Sequence, residues 1–213
     1  MTNNVLLVSA GILHPPYFGR LQLHRTLKGM SSYRFERVAR LEALTELSLG
    51  QFGALVLYFH HQRVSSGALQ ALDDFTKKGA GVLALHSASA SFKGQARYFD
   101  LLGGRFVRHG PVGTIHVRPA LKEDEIFGQQ APFTVMDELY RHEYAADNRT
   151  HFYAEVEGGR EPVVWTRTHE RGRVCYCSLG HRSATLRNPA MDVILRRGLA
   201  WVCEGKSAEA PQT

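Results

Sequence analysis

Three short runs of the sequence are almost entirely apolar, and they constrain the fold more than any other feature. They are VLLVS at 5–9, ALVLYFH at 54–60 and GVLAL at 81–85. None alternates between apolar and polar residues, which is typical of strands in a parallel sheet that is covered on both faces. A helical segment at 65–79 separates the second run from the third, so that strand, helix and strand form a right-handed crossover. The pattern therefore predicts an α/β fold.

Helix signals accompany these strands. In the segment 65–79 either of two serines, Ser65 or Ser66, can cap the start of the helix. Near the end of the sequence, Asn188 can cap a helix that has Pro189 at its first position. Further helices are predicted at 19–30 and 94–104.

The second half of the chain is richer in strands. Turn-forming residues separate five short β-runs, and these runs lie at 114–119, 133–138, 151–157, 162–167 and 173–179. We expect them to form a mixed extension of the same sheet, which gives the fold a β-rich C-terminal half.

The length and composition suit one globular domain. The chain has 213 residues, of which 44% are apolar and 22% are charged, and these fractions exclude extensive disorder and fibrous repeats. Residues 1–205 are predicted to form a single domain. The polar ending at 206–213 is predicted to be a disordered tail.

Charge and cysteine usage narrow the partners and the compartment. The formal net charge is +6, but the basic residues are single or paired, as at Lys77-Lys78, without the stripe or aromatic interleaving of a nucleic-acid-binding surface. We therefore expect a small-molecule substrate, no nucleic acid and no membrane partner. The three cysteines form no CxxC pair, and the start of the sequence lacks a signal-peptide pattern. These features predict a cytoplasmic protein, and a homodimer stays open.

Histidines and acids follow several of the predicted strands. His86 ends the run GVLAL, His109 follows RFV, His181 follows RVCYCSLG, and Asp137 and Glu138 end FTVMDE. Ligands of parallel sheets bind beyond the carboxyl ends of the strands. We therefore expect these side chains to converge on one crevice. The small residues after His86 are expected to start a helix close to the sheet, with its free N–H groups beside the imidazole.

Six segments of the sequence resemble one known family. They are, in chain order, GVLALHSASASF, YFDLLGGRFVRHG, DELYRHEY, PVVWTR, GRVCYCSLGH and NPAMDVILRRGLAWV. Their order and spacing over residues 5–203 are similar to those of the ThuA-like (trehalose utilisation) family. The resemblance implies the class I glutamine amidotransferase-like fold, a flavodoxin-like three-layer sandwich with a mostly parallel central sheet. The family's motif residues map onto His86, His109, Glu138, Tyr140, Trp165 and His181.

The sequence departs from the amidotransferase pattern at the catalytic elbow. Amidotransferases place a nucleophilic cysteine at this strand-to-helix turn, whereas here the turn carries His86 and Ser87. Glutamine hydrolysis through a thiolate is therefore excluded unless Cys175 or Cys177 reaches the site. Both cysteines are predicted to pack as small hydrophobic residues. The loop after His109 also lacks the His-Pro step of many family members, so we transfer no substrate contacts from that loop.

The resemblance implies sugar utilisation, and the residue types suggest the chemistry. Histidine exchanges protons near neutral pH, and a carboxylate can orient it or act as the complementary acid or base. We therefore expect a hydrolase, lyase or isomerase that acts on trehalose or a related sugar, including keto-sugars. The predicted catalytic residues are His86, His109, Glu138 and His181. The predicted substrate-binding residues are Tyr140, Trp165, Ser87 and His14.

Two alternatives stay open. A divalent metal such as zinc, bound by His86, His109 and His181 with Glu138 nearby, would make the protein a metal-dependent hydrolase or lyase. The same cluster could instead recognise a sugar in a non-catalytic binding or interaction domain. An ordinary glycosidase is disfavoured because Asp137 and Glu138 are neighbours on a strand and point apart. A serine hydrolase is disfavoured because ALHSA is not a G-x-S-x-G elbow.

Overall fold

The computed structural model describes residues 4–12 and 15–205. The helices of this part of the chain are α1 (Tyr17–Lys28), α2 (Ser66–Lys77), α3 (Ala96–Leu102), α4 (Ser183–Leu186) and α5 (Pro189–Glu204). Its strands are β1 (Asn4–Ser9), β2 (Arg34–Val38), β3 (Ala54–Tyr58), β4 (Gly81–Leu85), β5 (Gly104–His109), β6 (Gly113–Pro119), β7 (Phe133–Asp137), β8 (Tyr140–Tyr144), β9 (Arg149–Val156), β10 (Gly159–His169) and β11 (Gly172–Cys177). Short 3-10 turns occur at Leu41–Thr45, Leu49–Gln51 and His86–Ala90.

One large sheet has a parallel half and an antiparallel half. Among the described residues its strand order is β2-β1-β3-β4-β11-β10-β9-β6-β7. The strands from β2 to β11 are parallel to their neighbours, as the apolar runs predict. The pairs from β11 outward to β7 are antiparallel. The structure confirms the predicted α/β class and the mixed, β-rich extension in the C-terminal half.

A small second sheet lies beside the large one. It consists of β5 and β8, which pair antiparallel with His109 opposite Tyr140. The sequence predicts β5 as a short strand, but no apolar run indicates β8. Tyr140 and His142 are buried while Glu143 and Tyr144 are exposed, so that the buried positions of β8 are filled by rings with polar atoms. Tyr and His are not strongly apolar, so the alternation of buried and exposed residues along this strand does not appear as an alternation of hydropathy.

Helices cover both faces of the large sheet. Leu23 of α1 and Ile194 of α5 belong to the apolar cluster on one face, and Leu72 of α2 belongs to the cluster on the other. Within β1, Leu7 joins the first cluster and Leu6 the second. Since side chains alternate along a strand, an uninterrupted apolar run supplies both layers. Each leucine fully buried in this way adds about 2 kcal/mol of hydrophobic stabilisation.

The helix caps agree with the sequence prediction. Ser65 Oγ accepts a hydrogen bond from the Ala68 amide at 3.1 Å, and Asn188 Oδ1 accepts one from Ala190 at 2.9 Å. Each cap stabilises its helix by about 1 kcal/mol. Among the described residues, the longest helix is α5 with 16 residues, and none has the length and apolar character that a membrane crossing requires.

The strand ends position the candidate residues. Leu85 at the end of β4 pairs with Cys177 at the end of β11. His86 therefore enters the same rim of the sheet as the loop after β11, which carries His181. Helix α4, which follows this loop, contacts β7, because the Thr185 hydroxyl donates a hydrogen bond to the Met136 carbonyl at 3.2 Å.

Candidate functional site

His86 sits at a sharp turn directly after β4. Its φ of 44° lies in the left-handed region, which non-glycine residues rarely adopt and which costs about 1–3 kcal/mol. His86 begins a 3-10 turn that ends at Ala90, and α3 begins at Ala96. The helix that the sequence predicts to start here is therefore a single 3-10 turn, and the α-helix follows ten residues after His86. The small side chains after His86 instead allow a tight turn that is completely buried.

The orientation of the His86 ring is fixed by the loop after β11. His86 Nδ1 lies 2.8 Å from the carbonyl oxygen of Ser178, which can only accept a hydrogen bond. Nδ1 therefore carries the proton in the neutral ring, and Nε2 presents a lone pair. That lone pair is directed at the site, where Nε2 lies 3.6 Å from Glu138 Oε2. Tyr140 packs against the imidazole, with ring centres 4.2 Å apart.

Asp137 connects the two segments that carry the other polar residues of the site. Its Oδ1 accepts hydrogen bonds from the amides of Glu138 at 2.8 Å and His181 at 3.0 Å. Its Oδ2 accepts one from the amide of Gly180 at 3.0 Å. The Asp137 side chain is fully buried. One carboxylate therefore holds the end of β7 against the loop after β11, and it fixes the backbone of both Glu138 and His181.

Glu138 is the centre of a cluster of imidazoles. Its Oε2 lies 3.3 Å from His181 Nδ1, 3.6 Å from His86 Nε2 and 3.9 Å from His109 Nδ1. The expected convergence of His86, His109, His181 and Glu138 is observed. Among the described residues, neither His86 Nε2 nor Glu138 Oε2 has a hydrogen-bond partner, although both atoms are buried.

His109 lies at the outer edge of this cluster. Its side chain is 37% exposed, whereas His86 has no exposed surface. His109 Nδ1 donates to the carbonyl of Gly110 at 2.8 Å, which leaves Nε2 as the basic nitrogen of the neutral ring. In the described part of the chain, the compact set of ligand atoms consists of His86, Glu138 and His181, within 4.8 Å of one another. The sequence predicts His86, His109 and His181 as possible metal ligands, whereas the compact set contains Glu138 in place of His109.

The surrounding imidazoles control the charge of Glu138. Burial raises the pKa of this carboxyl, but the contact with His86 and the attraction of His181 and His109 outweigh it, so that the pKa lies below its usual value. Glu138 is therefore ionised at neutral pH.

The predicted substrate-binding residues occupy different environments. Tyr140 is 3% exposed and lies between His86 and His109, so it forms a wall of the site rather than an open platform. Ser87 is buried, and its hydroxyl has no partner among the described residues. Trp165 has no exposed surface and donates its indole N–H to the Leu102 carbonyl at 2.9 Å. The prediction of Trp165 as a sugar-stacking residue is therefore wrong. His14 lies outside the described residues.

A buried polar network lies directly beneath the elbow. Ser89 Oγ is 2.9 Å from His142 Nε2 and 2.7 Å from the Tyr176 hydroxyl. The Tyr176 hydroxyl is in turn 2.8 Å from the His86 carbonyl oxygen, to which it can donate a hydrogen bond. The roles of Asp137, Ser178 and this network are not apparent from the sequence. His142 lies two residues after Tyr140, and residues two apart on a strand share a face. This spacing would have indicated the buried position of His142 if β8 had been predicted as a strand.

The cysteines agree with their predicted role. Cys175 and Cys177 are fully buried in the apolar cluster that includes α1 and α5. Burial raises the pKa of the Cys177 thiol to about 12 and raises that of Cys175 further. Neither thiol is a candidate nucleophile, because the thiolate is the reactive form.

The fold and the site first define a class of protein: an α/β protein of the class I glutamine amidotransferase-like fold with histidine at the elbow. Within that class, a profile of the ThuA family, described as trehalose utilisation, matches residues 4–202. The chain therefore belongs to the ThuA family, and this membership implies a role in trehalose utilisation. A comparison with curated proteins gives no match.

Solved structures share the fold at low sequence identity. A ThuA-like protein from Parabacteroides merdae ATCC 43184 superposes with a TM-score of 0.81 and 16% identity, covering 98% of this chain and 93% of that chain. A ThuA-like protein from Bacteroides uniformis ATCC 8492 gives 0.77 and 15%, covering 93% and 89%. A β-galactosidase from Bacillus circulans sp. alkalophilus gives 0.66 and 9%, with 99% of this chain but 32% of that chain. These similarities show the fold alone.

Proposed function

We propose that this protein is a sugar-processing enzyme in which His86, Glu138 and His181 bind a divalent metal ion. The proposal depends on one observation, which is that His86 Nε2 and Glu138 Oε2 face each other at 3.6 Å, buried and without hydrogen-bond partners among the described residues. A buried polar atom without a partner costs about 1–3 kcal/mol. A group that satisfies both atoms at once is therefore favoured, and a cation does so.

The donor set suits a divalent transition metal. Two imidazole nitrogens and one carboxylate oxygen are the protein ligands of catalytic zinc sites that keep an open position. Ligand atoms about 2.0–2.2 Å from a shared ion lie roughly 3–3.5 Å from one another. The contacts of Glu138 with His181 and His86, at 3.3 and 3.6 Å, are close to this range.

The contacts behind His86 support the same assignment. Metal-binding histidines usually donate their second ring N–H to a backbone carbonyl or carboxylate, which fixes the tautomer. The hydrogen bond from His86 Nδ1 to the Ser178 carbonyl is of this kind. Asp137 plays the equivalent part for the other two residues, because it holds the backbone amides of both Glu138 and His181.

The residues around the cluster would carry out the proton transfers. A bound divalent ion would polarise a substrate oxygen or lower the pKa of a water molecule. His109 is the exposed imidazole of the cluster, and its Nε2 is free to take up or deliver a proton. Tyr140, packed against His86 and His109, would keep both rings in place. We propose trehalose, a related disaccharide or its keto derivative as the substrate.

The test is a turnover screen on full-length protein purified without chelator. Trehalose, maltose and their keto derivatives are incubated with the protein, and products are identified by mass spectrometry. We expect turnover that disappears after metal removal, returns with added zinc or manganese, and is absent in His86→Ala. His116→Ala, which alters an exposed histidine on β6, is the matched control and should keep full activity.

Two outcomes would contradict the proposal. Turnover that survives complete metal removal would show that the histidines and Glu138 act as acid and base alone. Sugar binding without any turnover, in the presence of each metal, would identify a binding domain instead.

A further inference from the structure

We infer that a second site, at the carboxyl ends of β1, β2 and β3, binds the phosphate group of a small molecule. The site is a surface pocket of about 640 Å³. The lining residues used below are Ala10, Arg40, Glu42, His61, Gln62 and Arg63. The pocket and its chemistry are independent of the proposed function, because none of the proposed metal ligands lines it.

The pocket lies where the order of the strands reverses. From β1 the chain crosses to β2 at one edge of the sheet, and it then returns past β1 to β3. The loop after β1 leads to α1 on one face, whereas the loop after β3 leads to α2 on the other. Loops that leave neighbouring strands in opposite directions open a crevice beyond the strand ends, and ligands of such sheets bind there. Ala10 follows β1 and His61 follows β3, so the pocket occupies this crevice.

The histidine cluster lies further along the same rim. His86 follows β4, and β3 separates β4 from β1 in the sheet. Neighbouring strands are about 4.8 Å apart, so the ends of β1 and β4 are roughly 10 Å apart. Ser91 joins the two regions, because its hydroxyl accepts a hydrogen bond from the His61 amide and donates one to the Ser87 carbonyl, both at 3.1 Å. The pocket is therefore a distinct site whose wall is fixed to the turn after β4.

Two arginines give the pocket its charge. Arg40 follows β2, Arg63 lies in the loop after β3, and both side chains are exposed. Within the described part of the chain, neither guanidinium group forms an ion pair with a carboxylate. Glu42 also lines the pocket, but its Oε1 accepts a hydrogen bond from the Ser65 amide at 3.3 Å. The two accessible guanidinium groups are therefore available to an anion.

Arg20 adds a third positive charge beside the pocket. Its guanidinium donates hydrogen bonds to the Gly11 carbonyl at 2.6 Å and the Ser9 hydroxyl at 3.3 Å, on either side of Ala10. Both acceptors are neutral, so they do not compensate the charge. Burial lowers the pKa of Arg20, and the positive charge of Arg37 lowers it as well. Positive charges that repel one another around a cleft favour the binding of an anion.

The positions of the two pocket arginines favour phosphate over carboxylate. A guanidinium binds either anion through two parallel hydrogen bonds. Arg40 and Arg63 enter the pocket from loops that follow different strands, so an anion that contacts both must present acceptor atoms in more than one direction. A carboxylate holds its two oxygens in one plane, whereas a phosphate group has three acceptor oxygens that point in different directions.

The other polar residues suit the remainder of a phosphorylated small molecule. The His61 ring is held by stacking on Phe59, with ring centres 4.7 Å apart. Burial is the main reason why the pKa of His61 is lowered, while the charges of Glu42 and Arg40 act on it in opposite directions. The neutral ring and the Gln62 amide each contain a donor and an acceptor. The volume is also within the range of about 300–1,000 Å³ for small-molecule pockets.

The first test is a titration of inorganic phosphate into ¹⁵N-labelled full-length protein, followed by NMR of the backbone amides. We expect saturable shift changes in residues 39–42 and 60–63. Acetate at equal ionic strength should bind at least tenfold more weakly. The Glu138→Gln variant is titrated in parallel and should give the same changes, because no ion at the histidine cluster is needed. Failure of the proposed metal site therefore leaves this result unaffected.

The second test measures the dissociation constant of phosphate in variants of the pocket. Arg40→Gln and Arg63→Gln should each weaken binding at least tenfold. Both side chains are exposed, so the two variants should melt at the wild-type temperature. Arg34→Gln is the matched control, because Arg34 is exposed at the opposite end of β2, and it should bind phosphate as the wild type does.

Several results would overturn the inference. They are the absence of saturable binding, shift changes confined to residues 137–142 and 178–182, and acetate binding as tight as that of phosphate. An unchanged dissociation constant in both pocket variants, or an equal loss of affinity in Arg34→Gln, would also contradict a phosphate site in this pocket.

Discussion

Asp137→Asn is the substitution that most sharply tests how the candidate site is held together. The Asp137 carboxylate is fully buried and accepts three backbone hydrogen bonds, from Glu138, Gly180 and His181. Asparagine has the same shape but one acceptor oxygen instead of two. If its oxygen replaces Oδ1, the amide NH₂ group faces the N–H of Gly180, and two donors then oppose each other without a partner.

The expected cost follows from these contacts. Loss of a hydrogen bond to a charged acceptor, together with an unsatisfied buried N–H, corresponds to about 2–4 kcal/mol of the free energy of unfolding. For a chain of this size the melting temperature should fall by about 5–15 °C. Loosening of the backbone that carries Glu138 and His181 should also weaken metal binding by about 10–100-fold.

Urea unfolding and metal titration of the folded variant measure these two effects separately. Asp192→Asn is the control, because Asp192 is a partly exposed carboxylate on α5 that pairs only with Arg196 in the described contacts. Loss of the Asp192–Arg196 ion pair should lower the free energy of unfolding by no more than about 0.5 kcal/mol. Equal stability of the two variants, with unchanged metal affinity, would show that Asp137 does not organise the site.

Three further predictions concern residues around the site. Trp165→Phe should lower stability by about 1–2 kcal/mol in a denaturant titration, through loss of the bond to Leu102, and leave the KM for sugar unchanged. Burial lowers the pKa of His142 to about 3 from 6.5, so the unfolded chain binds the extra proton between these values. Stability should therefore fall on acidification below pH 6.5 by up to about 1.4 kcal/mol per pH unit, and His142→Gln should flatten that slope. Cys175 and Cys177 should react with a thiol reagent at neutral pH only after unfolding, and rapid reaction of the native protein would contradict their placement.

Strands that are covered on both faces could be predicted from sequence, whereas β8 could not. The runs that became β1, β3 and β4 are apolar because helices cover both of their sides. β8 has one covered face, and its buried positions carry Tyr140 and His142, whose polar atoms find partners inside the molecule or face the site. Residues of this kind carry no hydropathy signal, so only the tertiary contacts reveal the strand.

The same distinction applies to the site. His86 and His181 could be predicted to converge because parallel strands end at one rim, which is a rule of topology. The roles of Asp137 and Ser178 depend on hydrogen bonds to backbone atoms of distant loops, which no local pattern specifies. The family resemblance places Trp165 among the site residues, but its side chain on β10 faces the apolar cluster around Tyr176. A family resemblance shows that a residue belongs to a motif, but it does not show whether that residue packs in the core or contacts a ligand.

The metal content of the purified chain tests the central proposal most directly. Full-length wild type, Glu138→Gln and Glu155→Gln are dialysed against zinc and manganese without chelator, freed of unbound ion and measured by inductively coupled plasma mass spectrometry. Glu155 is an exposed partner of Arg118 and serves as the control. We predict one bound ion per chain in the wild type and in Glu155→Gln, and none in Glu138→Gln. Metal-free wild type, or equal metal in Glu138→Gln, would contradict a metal site at His86, Glu138 and His181.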